Sequence, residues 1–460
     1  MRLRSAYRLA PLRSPWILTI LFIVFSLLPL HAQSPPNPTA TAVLAEFDRL
    51  AVLPLWPGFD PRQIPVAIYD GERTILVRHP SPPAEFKPEG DLRVGDLRTF
   101  KGRYEAMNAN TAVDLGGVKT ATLVVDPKAG RSARDWASIL THETFHVFQR
   151  QHHPTWEADE GELFLYPVDD ASLLAARRLE TEGFRRALAA TDAKEAACWT
   201  SQALERRRER FGRMTPGAVG YERGTELNEG LANFVENLSL GKIQGPDLPA
   251  AEYGAADIRN RAYAIGYAEA TLLGRVDPAW RQTLEDGKAP SLDELLAKAV
   301  AGKPAAACAL PPAEIAAAGE RAKADVQQLD RTRRESLEAF LKRPGWRIEI
   351  VAAAHPLSLH GFDPLNVALV AKGEILHRRY LELGDGSSSL KVLDAQALTE
   401  AAGEHPLFNG VKDLRMTGLA AEPKVRQEGD FTVIEAAGLT ARLKGAKVEK
   451  GDGALKVILP

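Results

Sequence analysis

Residues 139–148 of this 460-residue chain read Ile139-Leu140-Thr141-His142-Glu143-Thr144-Phe145-His146-Val147-Phe148. Neither Pro nor Gly interrupts residues 136–151, and Ile139, Leu140, Phe145 and Phe148 supply apolar positions. The run therefore predicts a helix with one buried side. Side chains four apart on a helix share a face. His142 and His146 thus offer two imidazoles to a single point, with Glu143 beside it. That donor pair suits zinc, and the adjacent carboxylate suits a general base. The competing reading is a core helix with two hydrogen-bonded histidines and a surface glutamate.

Two imidazoles leave a catalytic zinc site one protein ligand short. His152 has the spacing of His-Glu-x-x-His-x-x-Gly-x-x-His, and Met214-Thr215-Pro216 would serve as a methionine turn. However, Gln149 stands where that pattern needs Gly to turn the chain back. The helix is expected to run on and carry His152 away. Glu182, Glu222, Glu226 and Glu229 are the acidic alternatives. Glu229 lies in Leu227-Asn228-Glu229-Gly230-Leu231-Ala232-Asn233-Phe234-Val235-Glu236, on a helix expected to begin near Thr225 or Asn228. Gly230 would permit close helix approach. Asn233 and Glu236 are placed to hydrogen-bond a ligand. The competing reading here is a charged helix with its glutamates in water.

This second segment resembles the Asn-Glu-Gly-x-Ala signature of gluzincin metallopeptidases, notably those of the aminopeptidase N and leukotriene A4 hydrolase type. The resemblance covers two short motifs. It implies His142, His146 and Glu229 as zinc ligands, Glu143 as general base, and hydrolysis of a peptide bond by zinc-activated water. It also implies a donor later in the chain for the oxyanion, for which Tyr263 and Tyr267, four apart on an Ala-rich stretch, are the candidates; core packing is the alternative for each. Glu229 follows His146 by 83 positions, longer than in close members of the family. A helical hairpin over about residues 170–214 would absorb the difference at small entropic cost. No Gly-x-Met-Glu-Asn motif is present, so exopeptidase specificity is not implied.

Upstream, Pro65-Val66-Ala67-Ile68-Tyr69 and Thr74-Ile75-Leu76-Val77 flank Asp70-Gly71-Glu72-Arg73, which reads as a hairpin. Ala121-Thr122-Leu123-Val124-Val125 reads as a further strand, and zincin resemblance makes it a sheet edge that pairs with extended peptide. From 132 to 341 the text is helical. Asp135 is a candidate cap for the histidine helix, and Asp169 or Asp170 for the next. Ser291 with Glu294 predicts a capping box. The run Glu205-Arg206-Arg207-Arg208-Glu209-Arg210 reads as a solvated face. Beyond Gly345, alternating segments such as Trp346-Arg347-Ile348-Glu349-Ile350-Val351 predict strands. The expected class is α+β: a small N-terminal sheet (34–130) and a mainly helical zincin-like domain (131–343), then a mostly β module (344–460).

Arg2, Arg4, Arg8 and Arg13 precede an apolar stretch over residues 16–30, and His31-Ala32-Gln33-Ser34 follows. This order predicts a cleaved signal over residues 1–33 and an exported, periplasmic or secreted protein. The stretch is shorter than the roughly 20 residues that span a bilayer, so no membrane span is expected after cleavage. A formal net charge of −2 gives no electrostatic case for nucleic acid. Cys198 and Cys308 are either a disulfide or two buried thiols. The expected function is zinc-dependent hydrolysis of a peptide or protein substrate. The alternatives are a metzincin-like peptidase using His152 and a non-enzymatic exported binding protein that works through its β module. Substrate and oligomeric state are not legible.

Overall fold

The computed structural model describes residues 38–88, 97–249, 253–288, 290–302 and 308–460. The expected signal lies outside them. Six strands, β1 (Val66–Tyr69), β2 (Arg73–Val77), β3 (Lys87–Pro88), β4 (Arg98–Lys101), β5 (Thr111–Leu115) and β6 (Val118–Val124), form the first sheet in the order β3-β4-β2-β1-β6-β5. β1 and β2 are the expected hairpin, in register Val66 to Val77. β5 and β6 turn on Gly116 and Gly117, both at positive φ (59° and 82°), which side chains resist. β6 lies inside the sheet, parallel to β1 and antiparallel to β5. The expectation that residues 121–125 form an edge is therefore corrected: hydrogen bonding on both sides consumes that strand, and β5 is the edge.

Against this sheet lie α1 (Ala40–Leu50) and α2 (Ala133–His152). Ser132 caps α2 in a capping box with Asp135, so the cap is Ser132 and Asp135 is its reciprocal partner. Helix α2 is buried along most of its length, because the sheet covers one side and later helices cover the other. A short helix α3 (Glu162–Leu165) leads to the hairpin α4 (Ala171–Ala189) and α5 (Ala193–Phe211), where the intervening length had to be absorbed. Asp170 caps α4. Then α6 (Pro216–Thr225), a π turn (Glu226–Gly230) and α7 (Leu231–Ser239) run as one continuous helix capped by Thr215, earlier than Thr225 or Asn228. Helices α8 (Ile258–Val276), α9 (Trp280–Glu285), α10 (Leu292–Val300) and α11 (Pro312–Leu341) follow. Ser291 precedes α10 but makes no capping bond. The Cys198–Cys308 disulfide ties α5 to the start of the α11 segment across 110 residues. Closing a loop of that size contributes about 5 kcal/mol in the chain-entropy description.

The charged run on α5 is corrected in part: Glu205, Arg208 and Glu209 are exposed as expected, but two of its arginines are not. Arg207 and Arg210 are each 1% exposed. Arg207 donates to Glu180 on α4, Glu226 in the π turn and Glu269 on α8. Arg210 donates to Glu180 and Glu222, and Arg261 of α8 reaches the same two carboxylates. Charges at helical spacing thus face counter-charges on three other helices rather than water. Such a network tolerates burial only while every member keeps its partners.

The C-terminal region is strand-rich, as expected. It contains β7 (Trp346–Val351), β8 (Ser358–Phe362), β9 (Val367–Ala371), β10 (Glu374–His377), β11 (Tyr380–Gly384), β12 (Ser389–Leu393) and β13 (Ala397–Ala401). It continues with β14 (Val411–Leu419), β15 (Lys424–Glu428), β16 (Phe431–Ala436), β17 (Leu439–Lys444), β18 (Lys447–Gly451) and β19 (Ala454–Ile458). Two sheets form, β18-β19-β7-β14-β13-β10-β9 and β15-β16-β17-β12-β11-β8, enclosing a core that includes Ile348, Leu381, Val392, Leu414 and Ile434. Alternation is clean in β17, where Leu439, Ala441 and Leu443 are buried between exposed neighbours. Phe164 of α3 inserts into this core, and His405 pairs with the Gly161 carbonyl at 3.0 Å. The strand region is thereby packed onto the helices, and the described residues form one compact unit. Among the described residues no helix is long and apolar enough to cross a membrane.

Candidate metal centre

Helix α2 places His142 and His146 one turn apart, and the π turn brings Glu229 against them. His142 Nε2 and His146 Nε2 are 3.0 Å apart. Glu229 Oε2 lies 3.1 Å from the second and 3.4 Å from the first. All three side chains are buried, and together they are a group able to hold a metal ion. The donor geometry fits: a tetrahedral ion with bonds of about 2.0–2.1 Å sets its ligand atoms about 3.3 Å apart.

The surroundings hold each donor in place. His146 Nδ1 lies 2.8 Å from Gln149 Oε1 and 3.1 Å from Asn228 Oδ1. Both oxygens only accept, so Nδ1 carries a hydrogen and Nε2 is the ring atom turned towards Glu229. The Gln149 amide donates to the carbonyls of Leu227 and Asn228 at 3.0 and 2.9 Å, within the π turn. Glu236 Oε2 is 3.2 Å from His142 Nδ1, close enough to attract it though out of hydrogen-bond alignment. The other carboxylate oxygen of Glu229 accepts from Arg259 at 2.8 Å, and Arg259 also pairs with Glu160.

Close approach of the two helices is built from glycine. A Cβ on Gly230 would stand 2.6 Å from Gly266 Cα, and one on Gly266 would stand 2.6 Å from the Glu226 carbonyl oxygen. The π turn and α8 therefore touch backbone to backbone, which the presence of Gly230 anticipated.

Electrostatically the pocket asks for a cation. Burial opposes charge on His142, yet Glu229, Glu236 and Glu143 raise its pKa well above the usual imidazole value. Burial likewise opposes ionisation of Glu229, but His146, His142 and Arg259 hold it well below the carboxylate range. Glu143 is buried beside the cluster, and desolvation raises its pKa.

Other sequence candidates fall elsewhere. The Tyr263 ring lies nearly parallel to His142, 6.5 Å between centroids, and the Arg259 guanidinium stands over the same tyrosine ring, 5.5 Å from its centroid. Burial and the Glu229 charge raise the Tyr263 pKa, so its hydroxyl stays protonated. Tyr267, by contrast, donates to the Lys242 carbonyl and packs on Phe234 as a core residue. His152 ends α2 exposed, stacked on Phe148, outside the cluster. Met214 lies in the turn after α5, with its sulfur 3.2 Å from Arg210. Glu222 and Glu226 belong to the arginine network, and Glu182 pairs with Arg185 and Arg186. Asn233 accepts from Asn237 rather than holding a ligand. Sequence reasoning missed Gln149, Asn228 and Arg259. The available signals were position alone: Gln149 three after His146, Asn228 next to Glu229, Arg259 one turn before Tyr263.

No protein-family model, curated protein or solved structure matches the chain.

Proposed function

We propose that the chain is an exported zinc metallopeptidase of gluzincin type, with a zincin-like helical domain and a peptide or protein substrate. The observation that carries this reading is the convergence of His142, His146 and Glu229 with Glu143 alongside. Two imidazoles and one carboxylate are the donors that zinc takes in hydrolytic sites. Bound there, zinc supplies Lewis acidity that polarises a carbonyl and acidifies water.

The residues divide the remaining work. Glu143 accepts the proton of the attacking water and returns it to the leaving amine; desolvation brings its basicity nearer to neutral pH, where both transfers are efficient. Tyr263, held protonated beside His142, donates to the oxyanion as the carbonyl becomes tetrahedral. Gln149 and Asn228 orient His146, and Arg259 orients Glu229. The Cys198–Cys308 disulfide supports export, since such bonds persist in oxidising compartments.

The test is zinc content of the chain from Ser34 onward beside Glu229→Ala, with hydrolysis of a broad pool of quenched peptides before and after chelation. The expected result is about one zinc per chain, weakened by Glu229→Ala, and chelator-sensitive hydrolysis. Equal zinc in both chains would sink the ligand assignment. Zinc without hydrolysis would sink the peptidase reading.

A further inference from the structure

Strand β9 is the outermost strand of its sheet, and among the described residues its only strand partner is β10. Its side chains alternate between two cores. Val367 and Leu369 pack on the core between the sheets, while Ala368 joins Val370, Phe340 and Leu376 beneath α11. Yet a cavity of about 550 Å³ is lined by Val367, Ala368, Leu369 and Val370 in succession. A cavity against one face of a strand would meet every second residue. Contact with four in a row, whose side chains are already shared between opposite faces, places this cavity along the strand's free edge. There the main-chain groups not used by β10 point outward.

The other walls are Leu163, Tyr166 and Pro167, Arg259 at the start of α8, and Leu329 and Ser336 of α11. The carbonyls of Tyr166 and Pro167 accept from Val168 and Asp170, so this wall is a turn, and the extended side of the cavity is β9. At the mouth, Leu165 and Leu365 are 52% and 54% exposed, unusual for leucines unless something covers them. The exposed Arg378 lines the same cavity and makes no ion pair with another described residue. Arg259 links the cavity to the metal cluster, since its guanidinium is hydrogen-bonded to Glu229.

We propose that β9 is a substrate-binding strand: an extended peptide adds to its edge by main-chain pairing and sets apolar side chains against Leu165 and Leu365, at a cavity that shares Arg259 with the metal centre. This rests on the peptidase reading and gives the β module its part in it. Peptide addition to a free edge draws affinity from main-chain hydrogen bonds and selectivity from alternate side chains. The substrate class is therefore an unfolded or extended segment with apolar residues at alternate positions, and an acidic group near Arg378 is favoured.

The experiment uses the full mature chain carrying Glu143→Gln, so that bound peptide persists. The probe is fluorescein-labelled Val-Thr-Val-Thr-Val-Glu, beside two analogues N-methylated at alternate amides, one in each register. Anisotropy reads affinity and hydrogen exchange reads the amides of residues 366–371. Expected are slower exchange over that segment on peptide addition, and binding weakened about tenfold or more by N-methylation in one register only, as two or three lost hydrogen bonds require. Leu365→Asp should weaken binding while zinc content stays unchanged. Binding indifferent to both N-methylation patterns, protection confined to α2 and α7, or no binding at all would each overturn the proposal. The peptidase reading fails separately, through absent zinc or absent hydrolysis by the unsubstituted chain.

Discussion

Gln149 accepts the Nδ1 hydrogen of His146 at 2.8 Å while its amide group donates to two carbonyls of the turn that carries Glu229. One side chain on α2 thus sets the direction of one metal donor and clamps the backbone behind another. The π turn needs such a clamp, because its shifted hydrogen bonding leaves carbonyls without the partners a regular helix would provide. Gln149→Leu removes both functions. It is expected to weaken zinc binding by about 10–100-fold, as loss of an orienting partner does, and to cost about 1–3 kcal/mol of stability through the unpaired carbonyls. Gln149→Glu keeps the acceptor for His146 but cannot donate, so it should retain zinc affinity better than Gln149→Leu while sharing its instability. Chelator competition and urea unfolding of both variants check this; equal zinc affinity in all three chains would remove Gln149 from the site.

Glu143 is buried next to His142 and feels the charge of the cluster without belonging to the three donors. Glu143→Gln preserves shape and removes basicity. Hydrolysis should fall by about 10²–10⁴-fold with zinc content intact. Tyr263→Phe should lower kcat with little change in zinc content or KM, whereas Tyr267→Phe, losing only a bond to the Lys242 carbonyl, should leave kcat near that of the parent chain. Reversal of the two tyrosine effects would reassign the oxyanion donor.

The arginine network makes a prediction opposite to the one its sequence suggests. On a solvated face, Arg207→Met would be nearly neutral. Because Arg207 is buried against Glu180, Glu226 and Glu269, its loss leaves uncompensated carboxylates, and the expected cost is about 3–5 kcal/mol. Glu226, pushed up to about 7 by burial, sits three residues before Glu229, so the variant should also loosen the metal site. Denaturant midpoints in the presence of a chelator separate the first effect from the second.

His377 supplies the pH dependence. It is fully buried on β10, with Nε2 against the Thr399 hydroxyl and, among the described residues, no partner at Nδ1, and burial lowers its pKa from 6.5 to about 3. Above pH 6.5 the ring is neutral in both folded and unfolded chains and costs nothing. Below it the unfolded chain takes up a proton that the folded chain refuses. Stability is therefore lost progressively as pH falls from about 6.5 towards 3, by up to about 5 kcal/mol. Urea midpoints at pH 7 and pH 4 should differ less in His377→Phe than in the parent chain. An identical difference in both would exclude this residue as the cause.

Some of this was legible in residue order and some was not. The helix bearing His142 and His146, the β1–β2 hairpin and the alternating C-terminal strands are local patterns, set by side-chain period and by Gly and Pro punctuation, and they read directly. The pairing of Glu229 with the two histidines required a recognised motif, since no local rule spans 83 positions. What residue order left open concerns partners far apart in the chain. Arg207 and Arg210 have the spacing of a solvated face, and only the packing of four helices replaces water with carboxylates. Tyr263 and Tyr267 share a face of α8, yet the roughly 6 Å between them along the helix axis puts one beside His142 and the other against Phe234. The 121–125 strand would be an edge by resemblance alone, but β1 and β5 pair with it on both sides. Periodicity states which residues share a side of an element; it does not state what that side meets, because burial and hydrogen-bond partnership are properties of the whole packed chain.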